Sequence, residues 1–158
     1  MSKTQLRGQA APTASAEGLK RFAKDVFARI GLPKSDAAVV ADVLVWANLR
    51  GVDTHGVMRI PRYVDLVETG DMNPRPEIAV RTETPASVLI EADRAAGPVA
   101  MMRATAEALR KARDAGVGRL IVSHIGQYDL DAAIGELKQS YAGPLTIGAD
   151  LQCTPIAR

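Results

Sequence analysis

Apolar residues recur at helical spacing through the first part of the chain. From Ser15 to about Ile30 they form one face of a helix that Ser15 can cap, at Leu19, Phe22, Ala23, Val26, Phe27 and Ile30. The segment "GLPKS" (31–35) ends this helix, and Ser35 can cap the next one. The second helix is predicted to end near Gly51, with an inner face of Val39, Val40, Val43, Leu44 and Ala47.

A third helix and a hairpin are predicted next. The helix is indicated by Val57, Ile60, Val64 and Val67. Pro61 fits best near its start, because a proline inside a helix removes a hydrogen bond. The segment "ETGDMNPRP" (68–76) reads as a loop. Residues 77–81 and 87–92 predict two short strands, which "TETPA" connects as a hairpin.

A longer helix is predicted from Pro98, with Gly116 as its terminator. Its apolar side carries Val99, Met102, Ala106, Leu109 and Ala112. Cationic side chains near its C-terminal end complement the helix dipole, at Arg110, Lys111 and Arg113. The segment "RLIVS" (119–123) predicts a short buried strand. Beyond His124 the pattern weakens, with "DLDAAIGELKQSYA" fitting a helix and "PLTIGADLQ" a strand.

This order of elements predicts a mixed α/β architecture. The 158 residues suit one domain, which at this size buries about 70% of the surface of the unfolded chain. Residues 1–14 are small and polar without a pattern, and we expect a flexible tail there.

Composition narrows the class of protein. With 47% hydrophobic and 24% charged residues, the chain has the balance of a soluble globular protein. A net charge of +2 and 4% aromatic residues argue against a nucleic-acid or anionic-membrane partner. No apolar run is long enough to span a bilayer and no secretory leader is recognised, so a cytoplasmic location is expected. The single cysteine, Cys153, supports neither an internal disulfide nor a thiolate metal site, and no metal is predicted.

The side chains most suited to binding or catalysis are concentrated in "RGVDTHGVMRIPRYV" (50–64). If the third helix begins early, His55 and Arg59 share a face. A guanidinium can bind a carboxylate through two hydrogen bonds, and an imidazole can exchange a proton with the adjacent oxygen. The pair therefore suits a 2-oxo or 2-hydroxy acid. The alternative is a capping turn with solvated arginines, which spacing alone favours.

The second histidine, His124, follows the predicted strand "RLIV". A strand end positions a catalytic residue rigidly, but it equally suits a core histidine with its hydrogen bonds satisfied. Other enzyme classes have little support. There is no G-x-G-x-x-G, since Ile121 stands where the third glycine would be, and neither a phosphate-binding loop nor a G-x-S-x-G motif occurs. Asp53 and His55 are too few ligands for a metal site.

The segment "LRGVDTHGVMRIPRYV" resembles the malate/L-lactate dehydrogenase family, whose members use nicotinamide cofactors without a Rossmann fold. The stretch "VVADVLVWANLRGVDTHG" resembles the family's second helix running into an Asp-Ser-His-Gly-type motif. "GDMNPRPEIAV" resembles the following loop and strand, and "LIEADRAAGPVAMMRATAEALRKARDAGVG" the strand, turn and long helix after it. The resemblance covers about residues 18–126, and the fixed order of the segments makes it specific.

The resemblance implies an oxidoreductase that transfers hydride between NAD or NADP and a small 2-hydroxy or 2-oxo acid, or a related imino acid. The implied substrate-binding residues are Thr54, His55 and Arg59, with Thr54 standing where many members have serine. The implied catalytic residues are His55, which orients or polarises the substrate, and His124, which protonates the alkoxide at C2. The resemblance identifies no cofactor-binding residues. Homodimers are usual in the family, so a homo-oligomer is expected.

The chain is much shorter than typical members of that family, so we expect a truncated fold and impaired activity. The alternatives are an inactive remnant and a module for small-acid binding or oligomerisation. The "SHIGQ" segment is a few residues short, which leaves open whether His124 aligns with the family's catalytic histidine. The predicted divisions are the tail (1–14), the family-like region (15–127) and a divergent C-terminal end (128–158).

Overall fold

The computed structural model describes residues 13–122, 134–135, 137–139 and 141–148. Helices come first in these residues, as α1 (Ala16–Arg29), α2 (Lys34–Leu49) and α3 (Ile60–Glu68). They are followed by β1 (Ala79–Glu83), β2 (Val88–Glu91), α4 (Gly97–Asp114), β3 (Leu120–Val122) and β4 (Leu145–Ile147). The predicted mixed α/β class is therefore confirmed. None of the described helices is long and apolar enough to cross a bilayer.

The chain divides into two compact units. The first comprises Met1–Glu77 and Ala92–Ala100, and the second comprises Ile78–Glu91 and Met101–Arg158. The first unit holds the three N-terminal helices. The second holds the β1–β2 hairpin, most of α4 and the β3–β4 pair.

The first unit is organised around a continuous apolar core. Its buried side chains are Ala23, Phe27, Leu32, Ala37, Val40, Ala41, Leu44, Val45, Ala47, Ile60, Met72, Ala96 and Val99. Ser15 caps α1 as predicted, since its hydroxyl accepts a hydrogen bond from the Gly18 N–H at 3.1 Å. The rings of Phe27 and of Tyr63 on α3 make a T-shaped contact, with ring centroids 5.5 Å apart. All three helices thus contribute to one core.

The start and the inner face of α2 differ from the prediction. The helix begins at Lys34 with Pro33 as its N-cap, so Ser35 lies inside the first turn and bonds the Asp36 carboxylate at 3.1 Å. Val43, predicted to face inward, is 39% exposed, whereas Val45 is buried. The helix is apolar around most of its circumference, so periodicity does not single out one face.

The predicted hairpin forms in the second unit. Strands β1 and β2 pair antiparallel, with Val80 opposite Ile90 and Glu83 opposite Val88, and the register shifts between Val80 and Thr82. Strand β1 runs two residues further than predicted, to Glu83. The paired strands therefore include the first two residues of "TETPA", the segment that was predicted to connect them.

Strand β3 forms as predicted and pairs in parallel with β4, Leu120 opposite Leu145. It is not the buried strand that its apolar sequence suggested, because Ile121 is 46% exposed. Within the described residues the sheet has two strands, and two strands leave much of each face open. Residues 134–135 and 137–139 are helical, in line with the helix predicted there.

The end of α4 combines a turn and a group of ion pairs. The helix is followed by Gly116 at φ 62°, the left-handed conformation expected of a terminating glycine. Glu83 of β1 accepts hydrogen bonds from Lys111 at 2.7 Å and Arg110 at 3.1 Å. Both hydrogen bonds lower the pKa of the Glu83 carboxyl, and the bond from Lys111 has the larger effect. Cations predicted to complement the helix dipole therefore also tie α4 to the hairpin.

Candidate functional site

Two short 3₁₀ turns connect α2 to α3, and they carry the predicted site residues. The first is Asp53–His55 and the second is Val57–Arg59. Gly56 between them is extended, at φ −89° and ψ −157°. Helix α3 begins only at Ile60, with Pro61 in its first turn as predicted. The condition under which His55 and Arg59 would share a helical face, an early start of the third helix, is therefore not met.

Asn48, in the last turn of α2, holds this connection together. Its Nδ2 donates to Asp53 Oδ1 at 2.6 Å, and its Oδ1 accepts from the Val57 N–H at 2.7 Å. One amide side chain thus bonds both 3₁₀ turns. A Cβ added at Gly56 would collide with this amide, so the glycine is required by space. Our sequence reasoning missed Asn48; the available signal was a lone amide in an apolar helix just before the motif.

Thr54 and His55 form a pair on the exposed side of the first turn. Thr54 Oγ1 lies 3.0 Å from His55 Nδ1, and the donor depends on the tautomer of the ring. The hydroxyl donates when Nδ1 carries no proton and accepts when it does. Because the contact engages Nδ1, Nε2 is the nitrogen available to a ligand.

Arg59 lies in a small open cleft of the first unit, with a volume of about 260 Å³. We call it the arginine cleft; its lining is Arg59, Arg62, Tyr63, Leu66, Asp71, Met72, Arg94, Ala95 and Gly97. Of the predicted substrate-binding residues, Arg59 lines this cleft, whereas Thr54 and His55 are not among its lining residues. Arg62 and Arg94 were not singled out by sequence reasoning. Arg62 could have been found at i+3 from Arg59, but no local signal links Arg94 to α3.

The electrostatics of the arginine cleft favour an anion. Burial raises the pKa of Tyr63, and the positive charge of Arg59 opposes this rise. Tyr63 is therefore protonated at neutral pH, and its hydroxyl can donate to an anionic ligand. Asp71 is the one carboxylate of the lining, and its Oδ2 accepts from the Thr69 hydroxyl at 2.8 Å. Guanidinium and phenol donors are suited to bind a carboxylate.

Neither of two open clefts in the described residues matches, by itself, a site for a nicotinamide dinucleotide. Pockets for drug-sized ligands span about 300–1,000 Å³ and are largely apolar. The arginine cleft is smaller than that range. An open groove of about 410 Å³ along α1 and α2 is lined mainly by charged side chains, including Lys20, Arg21 and Lys24. The second predicted catalytic histidine, His124, lies outside the described residues.

Comparison with known proteins places this architecture among dehydrogenases. Residues 14–136 match the family described as malate/L-lactate dehydrogenase. Malate dehydrogenase of Pyrococcus horikoshii is 41% identical over 109 residues, which cover 69% of this chain and 30% of that protein. Its solved structure superposes with a TM-score of 0.64 at 40% identity, covering 68% of this chain and 30% of that chain.

Two further relatives are dehydrogenases that are named for other substrates. L-sulfolactate dehydrogenase of Methanocaldococcus jannaschii is 34% identical over 121 residues, covering 77% of this chain and 35% of that protein. Ureidoglycolate dehydrogenase (NAD(+)) of Escherichia coli is 34% identical over 112 residues, covering 71% of this chain and 32% of that protein. The chain thus spans about a third of the length of the curated relatives it matches.

Proposed function

The chain belongs to the malate/L-lactate dehydrogenase family, and on that premise we propose that it serves an NAD- or NADP-dependent oxidoreductase of small 2-hydroxy or 2-oxo acids. Related imino acids, which carry the same carboxylate, fall within the proposal. The observation that carries it is the position of Arg59 in a cleft rich in guanidinium groups, beside the protonated Tyr63. Arginine binds carboxylates through a planar pair of donors that lysine lacks.

The chain's own residues supply binding and proton exchange in this proposal. Arg59 holds the substrate carboxylate, and Tyr63 donates a further hydrogen bond. His55, its ring fixed through Nδ1 by Thr54, polarises the oxygen at C2 through Nε2. His124 exchanges the proton at that oxygen, a role proposed from the family resemblance. Proton transfer of this kind contributes about 10²- to 10⁴-fold in rate.

We expect the 158-residue chain, assayed alone, to be a poor dehydrogenase. Neither the arginine cleft nor the groove along α1 and α2 fits a dinucleotide by itself. Correct positioning of two reactants supplies about 7–11 kcal/mol of barrier reduction. The assay follows NADH and NADPH oxidation with pyruvate, oxaloacetate and a cyclic imino acid. Robust turnover that is lost in His124→Ala would contradict this expectation and show a complete catalytic site.

A second candidate function is a small-acid-binding module that works without a cofactor. The misfit between the described clefts and a dinucleotide favours it. Titration of NADH and NADPH, followed by the fluorescence of the reduced nicotinamide, separates the two candidates. Binding of either cofactor supports the oxidoreductase. Binding of pyruvate with no cofactor binding supports the module, and binding of neither indicates an inactive remnant.

We also propose that the chain self-associates. The first unit exposes several large apolar side chains on α1, on α2 and just after α2, namely Phe22, Val43, Trp46, Leu49 and Val52. Contiguous exposed apolar surface favours association in water. Light scattering over a concentration series tests this, and a monomer at the highest concentration would contradict it.

The carboxylate-binding role of Arg59 has a direct test. Calorimetric titration with pyruvate compares the unmodified chain, Arg59→Lys and the matched control Arg29→Lys, since Arg29 is exposed in the last turn of α1 and does not line the cleft. We expect Arg59→Lys to weaken binding about tenfold, because a hydrogen bond to a charged group contributes about 1.5–3 kcal/mol. Equal affinity in all three proteins would remove Arg59 from the proposed site.

A further inference from the structure

A tight turn with an uncommon backbone connects β2 to α4. Its first and last residues are Ala92 and Ala95, and the Ala95 N–H donates to the Ala92 carbonyl at 2.8 Å. The two residues between them, Asp93 and Arg94, have φ values of 46° and 55°. Positive φ at both central positions is the pattern of a type I′ turn, where glycine, asparagine and aspartate are favoured. An arginine is strained there because its Cβ crowds the following carbonyl oxygen, so surrounding contacts must enforce the turn.

The enforcing contacts come chiefly from Asn73, in the loop that follows α3. The Asn73 N–H donates to the Arg94 carbonyl at 3.0 Å, and Asn73 Nδ2 donates to Asp93 Oδ2 at 2.7 Å. The same carboxylate oxygen accepts from the Glu77 N–H at 3.0 Å. Asn73 Oδ1 accepts from the Arg75 N–H at 2.9 Å, so both ends of the amide are bonded. We call the two bonded side chains the Asn73–Asp93 clasp.

The clasp joins two segments that line the arginine cleft. Met72 comes directly before Asn73, Arg94 comes directly after Asp93, and both Met72 and Arg94 belong to the lining. The Met72 N–H donates to the Leu66 carbonyl of α3 at 2.8 Å, and the Met72 side chain is buried. The loop is therefore tied to α3 at Met72, and the turn is tied to the loop through the clasp.

The placement of these segments controls how much water reaches the rest of the cleft, which Arg59 and α3 supply. A hydrogen bond between a guanidinium and a carboxylate is stronger where water is excluded, because the dielectric constant is lower there. The apolar side chain of Met72 excludes water from its neighbours. A displaced loop or turn would therefore weaken a carboxylate bound at Arg59 without any change in Arg59 itself.

We propose that the Asn73–Asp93 clasp positions the loop and the turn against α3, so that water is excluded from a carboxylate bound at Arg59. The ligand in this inference rests on the proposed function. Asn73 and Asp93 are not lining residues of the cleft, so both are positioning residues and not ligands. Glycine at position 93 would adopt the turn with less strain, but it would leave Asn73 Nδ2 and the Glu77 N–H without this acceptor.

Two substitutions of Asp93 separate this role from a purely structural one. Asp93→Gly removes the acceptor but relieves the backbone, so it should remain folded, which the circular dichroism spectrum verifies. Asp93→Asn removes the charge but keeps an oxygen that can accept from Asn73 and from the Glu77 N–H. Calorimetric titration of the 158-residue chain with pyruvate should show binding weakened about tenfold in Asp93→Gly and restored to within about twofold in Asp93→Asn.

Ser15→Gly is the matched control. It also replaces the acceptor of a backbone N–H by glycine in the first unit, and Ser15 does not line the cleft. Its affinity for pyruvate should equal that of the unmodified chain. An equal loss of affinity in Ser15→Gly and Asp93→Gly would indicate a general effect of lowered stability and overturn the inference.

The titration of Tyr63 gives a second readout, which needs no ligand. Burial raises the pKa of Tyr63, so water admitted to the cleft should lower this pKa towards the ordinary value of a phenol. Spectrophotometric titration of tyrosinate, with Tyr63→Phe to assign the signal, should show the fall in Asp93→Gly and not in Asp93→Asn or Ser15→Gly. An unchanged Tyr63 pKa in folded Asp93→Gly would show that the clasp does not shape the cleft.

The remaining outcomes separate the inference from the proposed function. Unchanged pyruvate affinity in folded Asp93→Gly, or an equal loss in Asp93→Asn, overturns the inference and leaves acid binding at Arg59 intact. If Asp93→Gly does not fold, Asn73→Ala takes its place in both measurements, and loss of folding in both variants assigns the clasp to stability alone. Failure of the unmodified chain to bind pyruvate removes the proposed function, while the Tyr63 titration still supports or overturns the role of the clasp.

Discussion

The two units are stabilised by different interactions. In the first unit three helices bury a continuous set of apolar side chains, and Phe27 and Val40 are completely inaccessible to solvent. In the described part of the second unit, Tyr141 is the one buried apolar side chain, and its hydroxyl donates to the Val117 carbonyl. Ion pairs connect the hairpin to α4 there, from Glu83 to Arg110 and Lys111. Burial of apolar side chains involves no protonation, whereas exposed ion pairs are weakened by salt and are lost when the carboxylate is protonated.

The candidate site lies in the unit with the packed core. Arg59 and Tyr63 belong to the connection and helix that follow α2, and Asn48 belongs to α2 itself. A ligand group must be held within a fraction of an ångström to be useful, and this requires neighbouring side chains that are locked by packing and hydrogen bonds. The comparison therefore predicts that the first unit determines acid binding and that changes in the ion pairs leave it unaffected.

The largest effect is expected from Phe27→Ala. Removing a buried aromatic ring lowers the free energy of unfolding by about 3–5 kcal/mol, through lost burial and the cavity left behind. Leu89→Ala in β2 is the control, because Leu89 is 62% exposed and such a change should cost less than about 0.5 kcal/mol. Urea unfolding, followed by circular dichroism and by the fluorescence of Trp46, measures both. Similar losses in the two variants would contradict the contrast between the units.

Asn48→Ala should have the next largest effect. Two hydrogen bonds to the 3₁₀ turns are lost, at about 0.5–1.5 kcal/mol each, and L-lactate binding should weaken because Arg59 is no longer held in place. Asn48→Asp keeps the acceptor for the Val57 N–H but sets a carboxylate against Asp53, so it should also destabilise. Ser35→Ala, an exposed change on the same helix, is the control. Unaltered acid affinity in Asn48→Ala would exclude a positioning role for Asn48.

As the pH is lowered, the second unit should lose stability before the first. The pKa of Glu83 is lowered by Lys111 and Arg110, and that of Asp114 is lowered chiefly by Arg113. Because each folded-state pKa lies below its unfolded value, the contribution is fully present above the ordinary carboxyl range, at about pH 4, and is lost as pH falls through the lowered pKa.

Glu83→Gln should therefore flatten the dependence of stability on pH in this acid range, and it should leave L-lactate affinity at neutral pH unchanged. Urea unfolding at several pH values measures the first effect, and calorimetry measures the second. The matched control is Glu77→Gln, whose exposed carboxylate belongs to the first unit. A weakened acid affinity in Glu83→Gln would show that the candidate site depends on the ion pairs of the second unit.

The smallest expected effect is a shift in the pKa of the Tyr63 hydroxyl. The positive charge of Arg59 opposes the rise in the Tyr63 pKa, so Arg59→Gln should move that pKa further upward. Spectrophotometric titration of tyrosinate, with Tyr63→Phe to assign the signal, measures the shift. An unchanged or lowered value would show that the Arg59 charge is too far from Tyr63 for both to bind one ligand.

Local signals determined much of the fold. The Ser15 cap of α1, Pro61 in the first turn of α3, the β1–β2 hairpin and the turn at Gly116 were all predicted, because each depends on residues close in sequence. The order of "VDTHG" and its flanking segments also identified the family, which the comparisons confirm. The roles of Thr54, His55, Arg59 and His124 stay predictions, as do the divisions at residues 14 and 127.

Tertiary structure decided what depends on distant residues. The inner face of α2, the exposure of β3 and the late start of α3 differ from the prediction because neighbouring elements, not periodicity, set burial and helix ends. Asn48 acquires its importance only when the chain turns back to bring Val57 to it. Arg94 joins Arg59 in one cleft across 35 positions of sequence, held by a left-handed turn that Asn73 and Glu77 enforce. Sequence patterns report neighbours along the chain, whereas a binding cleft consists of neighbours in space.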